Sequence, residues 1–453
     1  MALPFVAIVG RPNVGKSTLF NRILGERRAI VDPMAGLTRD RLYGESAWRG
    51  REFVVVDTAG LILGKRRDEI PAERELRSRM EAQTRLAIGE ADCVLFVLDA
   101  REGLTAIDRD IAELLRRSQV PVLLVANKSD GRAGGAAGLT HEFYELGLGE
   151  PWPVSALHGT GSGDLLDAVV ERLPAVQPEA RDAAVAARVA ILGRPNVGKS
   201  SLLNALLGDE RSLVAKEPGT TRDPVDTEVT FAGRRVRLVD TAGIRRPGVT
   251  RGVEQYSLLR GLRAMERSDV ALLVMDAQEG VVAQDRHIAG YVVDAGRGLV
   301  LVLNKWDLLT AEEKEERVWR KRLREAFDFA GWAPVSYVSA RTGQRVTQPM
   351  EMALRLVETR ERKVGTPELN RWLRSVLAAR QAPTRKGKRL NLLYVTQAEA
   401  ATPTFLFFVN EPELAHFSYR RFLESELRKA FGFEGTPVRL VFKPRRSRES
   451  QER

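Results

Sequence analysis

The chain has 453 residues, a formal net charge of +11, 43% hydrophobic and 29% charged residues, and one cysteine, Cys93. That length suits about three domains at roughly 150 residues each, and the composition excludes wholesale disorder. A lone cysteine excludes an intrachain disulfide, and no stretch approaches the roughly 18–20 uncharged apolar residues of a membrane span, so a cytoplasmic protein with no membrane partner is expected.

In chain order, FVAIVG reads as a buried strand, and the N-terminus lacks the basic region and cleavage site of a signal peptide. GRPNVGKS (10–17) follows, then the helical TLFNRIL, the strand EFVVVD and the segment DTAG (57–60). CVLFVLDA, opened by Cys93 as a small core residue, and VPVLLVANK read as further strands, with the helical DRDIAELLRRSQ between them; NKSD (127–130) and VSA (154–156) come next. Apolar runs with little alternation suit parallel strands buried on both faces. PAVQPEARDAAVAA (174–187), with two prolines, reads as a linker.

Beyond it the series repeats. Residues 10–60 and 193–243 align without a gap and are about half identical, and GRPNVGKS recurs letter for letter at 193–200. TTRD (220–223) matches LTRD (37–40), DTAG recurs at 240–243, MDAQEG (275–280) matches LDAREG (98–103), NKWD (304–307) matches NKSD, and VSA recurs at 338–340. A constant register through these landmarks means a duplicated domain, and strand–helix alternation in each copy predicts an α/β fold with mostly parallel, doubly wound sheets. The expected organisation is a first copy of this α/β domain at 1–173, the linker at 174–187, a second copy at 188–359, a third domain at 360–444 and a basic tail at 445–453.

GRPNVGKS fits G-x-x-x-x-G-K-S between a strand and a helix, where such a loop cradles phosphates. Gly10, Arg11, Pro12, Asn13, Val14 and Gly15, like Gly193, Arg194, Pro195, Asn196, Val197 and Gly198, turn backbone N–H groups inward around a β-phosphate. Lys16 and Lys199 are expected to reach the β and γ oxygens, and Ser17 and Ser200 to ligate Mg²⁺, with Thr18 and Ser201 beside them. Asp57 and Asp240 hold the same ion through water in this reading. Along Thr58, Ala59 and Gly60, and along Thr241, Ala242 and Gly243, the glycine N–H meets the γ-phosphate. Thr38 and Thr221 join the metal when a γ-phosphate is present, so these loops order with GTP and relax after hydrolysis.

NKSD and NKWD point to guanine. A carboxylate accepts from guanine N1–H and the exocyclic amine, whereas adenine would leave it desolvated and unpaired. Asp130 and Asp307 therefore select the base, Asn127 and Asn304 hold it and tie loops together, and the stems of Lys128 and Lys305 cover its face. Ser155–Ala156 and Ser339–Ala340 bring a backbone N–H toward the guanine oxygen.

The doubled GRPNVGKS and the stretch IRRPGVTRGVEQYSLLRGLRAMERSDV make the chain, over nearly its whole length, similar to the Der (EngA) family of bacterial ribosome-assembly GTPases. That resemblance implies two tandem P-loop, Ras-like GTPase domains, a C-terminal α+β KH-like domain, and a GTP-hydrolysing switch that acts in maturation of the large ribosomal subunit through rRNA or pre-ribosomal particles, here expected as a monomer. Like that family, the chain carries Leu61 and Ile244 where many Ras-like enzymes place a water-orienting glutamine. Among related GTPases an asparagine at the position of Asn13 and Asn196 is associated with K⁺, which would offset charge developing between the β- and γ-phosphates. The expected catalytic set is thus Lys16, Lys199, Asn13, Asn196, Gly60 and Gly243. Arg39 and Arg222 could reach a phosphate or a partner.

Residues 360–453 hold 20 Lys+Arg against 10 Asp+Glu, and the rest of the chain holds 51 against 50, so the charge imbalance sits in the last fifth. That end suits a polyanion. Its elements read in the order α-β-β-α-β, with Thr366 as N-cap and Pro367 at the first helical position. No G-x-x-G occurs there, so phosphate contacts and recognition of folded rRNA fit better than single-strand clamping. Arg385, Lys386, Lys388, Arg389, Lys443, Arg445, Arg446 and Arg448 are the candidate contacts. Two other classes compete: a P-loop phosphotransferase, which would not need NKxD, and a nucleotide-dependent scaffold with one active site.

Overall fold

The computed structural model describes residues 3–25, 43–58, 81, 84–85, 87–130, 141–175, 185–209, 212–214, 226–241, 253–380, 382–385 and 387–444. Two compact units divide the chain, Met1–Ala180 with Gly248–Arg263, and Arg181–Pro247 with Ala264–Arg453.

The first unit holds β1 (Phe5–Val9), β2 (Tyr43–Trp48), β3 (Arg51–Asp57), β4 (Cys93–Asp99), β5 (Val122–Asn127) and β6 (Trp152–Val154), in the order β2-β3-β1-β4-β5-β6. Every pairing is parallel except the β2–β3 hairpin. Arg49 and Gly50 turn that hairpin with φ of 46° and 79°, the paired left-handed conformation that matches strand twist. β1 and β4 are buried throughout because helices cover both sides of the sheet. Lys16–Gly25 and Ser162–Arg172 pack on one face and Ala106–Arg116 on the other, which explains the unbroken apolar runs. Cys93 lies in that core, and burial pushes its thiol up to about 12.

The second unit repeats the plan. Its strands are β7 (Val185–Leu192), β8 (Ser212–Val214), β9 (Thr227–Phe231), β10 (Arg234–Val239), β11 (Val270–Asp276), β12 (Gly298–Asn304) and β13 (Val335–Tyr337), in the order β13-β12-β11-β7-β10-β9-β8. Ala232 and Gly233, at φ of 49° and 77°, turn the β9–β10 hairpin as Arg49 and Gly50 turn its counterpart. Helices Lys199–Gly208 and Gln348–Glu361 close the core on one side of this sheet.

The third part belongs to the second unit. After the short hairpin β14 (Thr384–Arg385) and β15 (Lys388–Arg389) comes a sheet of β16 (Leu392–Ala398), β17 (Thr404–Val409) and β18 (Arg439–Pro444). β16–β17 is antiparallel and β17–β18 parallel. Helices Thr366–Ala379 and Phe417–Phe431 pack on the sheet through Leu369, Leu373, Leu423 and Leu427 against Val395, Phe405 and Phe407, giving the expected α-β-β-α-β order. The N-cap is Gly365, one residue before the expected Thr366; the Thr366 hydroxyl instead lies 3.1 Å from that of Thr396. This domain joins the second GTPase sheet where β12 begins: Leu299 N donates to Gly435 O at 2.9 Å. Nearby, Arg360 donates to Gly296 O at 2.7 Å and Ala401 O at 3.0 Å.

Candidate functional site

In the first copy the loop 10–17 leaves the carboxyl end of β1 and enters a helix, as the glycine spacing requires. Lys16 folds back over it, and Nζ donates to Gly10 O at 2.7 Å and Arg11 O at 2.6 Å. Burial pushes the Lys16 ammonium down to about 8, opposed in part by Asp57. Two of its three N–H groups are thus engaged and the third remains for a ligand oxygen. Ser17 Oγ donates to Asp57 Oδ2 at 2.6 Å. A hydroxyl beside a carboxylate supplies the hard oxygen donors that Mg²⁺ takes, with phosphates and waters completing its shell.

Asn127 ties the phosphate loop to the base loops. Its Nδ2 donates to Val14 O at 2.8 Å and its Oδ1 accepts from Ala156 N at 3.0 Å. Gly15 is needed at this junction, since a Cβ there would sit 2.3 Å from Asn127 Nδ2 at a φ of +93°.

The second copy reproduces the design. Lys199 Nζ donates to Gly193 O at 2.8 Å and Arg194 O at 2.6 Å, and burial, then Arg194, pushes it down to about 8. Asn304 Nδ2 donates to Val197 O at 2.9 Å, and Ala340 N donates to Asn304 Oδ1 at 3.0 Å. A Cβ on Gly198 would sit 2.2 Å from Asn304 Nδ2. Asn13 and Asn196 both hold left-handed backbone, with φ of 67° and 64°. Asparagine tolerates that conformation, which gives the residue a structural reason to be there.

Several contacts were not legible as functional. The matched LDAREG and MDAQEG place Asp99 and Asp276 2.5 Å from the ammonium groups of Lys128 and Lys305. Each lysine of NKxD is thereby held by the carboxylate that ends a neighbouring strand, β4 or β11. Arg11 pairs with Glu102 at 2.6 Å and Asp108 at 3.2 Å, and Arg194 with Glu279 at 2.8 Å and Asp285 at 3.0 Å. These guanidinium groups brace the loops, which leaves their backbones to meet a nucleotide. The matched segments LDAREG and MDAQEG carry Asp99, Glu102, Asp276 and Glu279 without assigning them a task, and Asp108 and Asp285 lie outside them.

The copies differ at the base. Arg101 Nη2 lies 2.9 Å from Asp130 Oδ1 and His158 Nε2 lies 2.9 Å from Oδ2. By the same alignment Gln278 and Thr342 replace these residues, and Asp307 has no ion-pair partner among the described residues.

Thr38, Ala59, Gly60, Thr221, Ala242 and Gly243 lie outside the described residues, as do Leu61, Ile244, Arg39, Arg222, Lys386, Arg445, Arg446 and Arg448. Of the other candidate RNA contacts, Arg385 is described by its backbone in β14, and Lys388, Arg389 and Lys443 are exposed. Lys388 is paired with Glu411 at 2.7 Å.

Phosphate loops at the carboxyl ends of two such sheets, each bonded to its own NKxD loop, put the chain among the P-loop GTPases. A family model for "50S ribosome-binding GTPase" matches residues 5–128 and again 188–305, and one for the "KH-domain-like of EngA bacterial GTPase enzymes, C-terminal" matches 363–443. "GTPase Der" of Chloroflexus aggregans is 51% identical over 100% of both chains, and that of Thermomicrobium roseum is 53% identical over 98% of this chain and 97% of its own. A solved structure of Era with MgGDPNP and a piece of 16S ribosomal RNA is 21% identical over 57% of this chain and 92% of its own, with a TM-score of 0.30, too slight a likeness to carry an argument. The chain belongs to the Der family of GTPases. It is a GTP-binding switch protein of ribosome assembly that hydrolyses GTP to GDP and phosphate, and the family implies Mg²⁺ in general. Among the described residues no helix is long and apolar enough to cross a membrane.

Proposed function

We propose that residues 1–173 and 188–359 are two separately loaded GTP switches, that residues 360–444 deliver them to rRNA of the large ribosomal subunit or its precursor, and that the protein acts as a cytoplasmic monomer. The observation that carries this reading is the doubled asparagine tie, Asn127 to Val14 and Ala156 and Asn304 to Val197 and Ala340. Neither copy has lost the bond between phosphate loop and base loop.

In each site the lysine, Lys16 or Lys199, presents its free N–H to the β and γ oxygens from a position already fixed by two loop carbonyls. Ser17 with Asp57 and Thr38, and Ser200 with Asp240 and Thr221, would hold Mg²⁺, which when bound offsets charge on those oxygens. Asp130 and Asp307 accept from the guanine edge. With Leu61 and Ile244 unable to orient water, Asn13 and Asn196 would hold a K⁺ that, when bound, would supply the missing electrostatic stabilisation. GTPase rates in KCl and NaCl at equal ionic strength test that point; equal rates refute it.

The ribosomal reading is tested by sedimentation with large subunits and their precursors in GDP, GTP or a non-hydrolysable analogue. Binding that depends on the nucleotide is expected, and binding indifferent to it would defeat the switch.

A further inference from the structure

The third domain's sheet has two faces of different character. Val395, Phe405 and Phe407 look into the core and are fully buried. On the opposite face the register aligns Tyr394, Phe408 and Lys443 across the three strands, with Thr396, Leu406 and Val441 as the next row. The Tyr394 and Phe408 rings are stacked, with centroids 4.2 Å apart and planes within 9°. Tyr394 is 41% exposed and Leu393 beside it 39%.

A break in the ladder creates this exposure. Leu392 pairs with Val409 and Tyr394 with Phe408, so Leu393 is an extra residue. In a regular strand Leu392 and Tyr394 would share a face. The bulge lets Leu392 stay in the core while Tyr394 turns outward, the re-aiming that such insertions produce beside binding sites. A cross-strand aromatic pair stabilises a sheet by itself, but it needs no bulge and no ring turned to water.

We propose that Tyr394 and Phe408 form a stacking platform for unpaired RNA bases, with Lys443 meeting the adjoining phosphate. This rests on the reading of the third domain as the RNA-binding end. Charge favours a nucleic acid over a protein as occupant. Lys443 has no ion-pair partner among the described residues. Asn410 Nδ2 donates to Arg389 O at 2.9 Å, which sets the basic β14–β15 hairpin at the same end of the sheet. Every base offers a π-face, so a flat ring pair beside a cation binds single strands without a code, and a chain lacking G-x-x-G can hold them this way.

The test uses the full-length protein, a short single-stranded oligoribonucleotide, and an abasic phosphodiester of the same length. Wild type is expected to prefer the oligoribonucleotide. Tyr394→Ser should weaken that binding about tenfold and leave abasic binding unchanged, while Tyr394→Phe restores it and Lys443→Glu weakens both probes. Thermal unfolding of each variant checks the fold. Equal binding of the two probes by wild type, or a well-folded Tyr394→Ser with unaltered affinity, overturns the proposal. So does a Tyr394→Ser that loses ribosomal subunits but keeps the oligoribonucleotide, because the face would then contact protein. Wild type that binds the oligoribonucleotide but ignores ribosomal subunits would defeat the ribosomal reading and leave the platform standing.

Discussion

His158 Nε2 lies 2.9 Å from Asp130 Oδ2, on a carboxylate whose other oxygen is 2.9 Å from Arg101. The carboxylate proposed to read the base in the first site is thus engaged by its own chain, and its own backbone N–H, then Ser155 and Arg101, hold it below the usual carboxylate range. On that reading guanine displaces these partners, whereas Asp307 in the second site has no ion-pair partner among the described residues. His158→Ala should tighten GDP binding at the first site by about two- to fivefold, the size of a modest hydrogen bond, and leave the second unchanged. Titration with fluorescent GDP in an Asp307→Asn background isolates the first site; unaltered affinity there would refute the competition.

The phosphate-loop lysines predict a pH signature. Lys16 and Lys199 sit at about 8 in the free protein, below the ordinary 10.5. Triphosphate oxygens restore the proton, so nucleotide binding should take up protons above about pH 8 and not below it. Calorimetry in buffers of different ionisation enthalpy measures that uptake. Linkage also acts on folding. Between about pH 8 and 10.5 the unfolded chain binds more protons than the folded one, so these lysines make the nucleotide-free protein more stable as pH rises through that window. Lys16→Met and Lys199→Met should flatten the rise, and an unchanged profile would refute the assignment.

Asn127→Ala and Asn304→Ala remove a side chain that satisfies a carbonyl on one loop and an amide on another. Both asparagines are 2% exposed, so the orphaned groups stay desolvated. Each change should destabilise by about 1–3 kcal/mol and lower nucleotide affinity at its own site about tenfold or more, with the other site untouched. Urea unfolding and single-site titrations provide the check. A loss shared equally by both sites would mean that the copies are not separately built.

Much of this was legible because the chemistry is local in sequence. Gly10–Ser17 is one continuous loop, and its two copies differ by a constant offset. The buried parallel strands announced themselves as apolar runs because both faces of each sheet are covered. What stayed hidden depends on pairing across long separations. Arg11 with Asp108, and Lys128 with Asp99, join segments whose partners no local pattern specifies. His158 on Asp130 depends on how the loop after β6 closes. The Tyr394 platform arises from a bulge, and a bulge shifts register without leaving a mark in composition.

The junction between the second GTPase domain and the third domain yields the last test. Gly435 has a φ of +69°, and a Cβ added there would lie 2.2 Å from Leu356 Cδ2. Its N–H donates to Trp332 O at 3.1 Å while its carbonyl accepts from Leu299 N at 2.9 Å. The backbone cannot shift without breaking these bonds, and Leu356 is buried in the core of the second GTPase sheet, so its side chain can move only by repacking that core. Gly435→Ala should therefore destabilise the second unit by about 1–3 kcal/mol. Lys363→Ala, which removes an exposed pair with Glu399, should change stability by less than about 0.5 kcal/mol. Urea unfolding measures both. The phosphate loop lies at the other end of the strands, so nucleotide binding by folded Gly435→Ala should match wild type. A Gly435→Ala as stable as Lys363→Ala would show that the close approach of Gly435 to Leu356 does not hold the domains together.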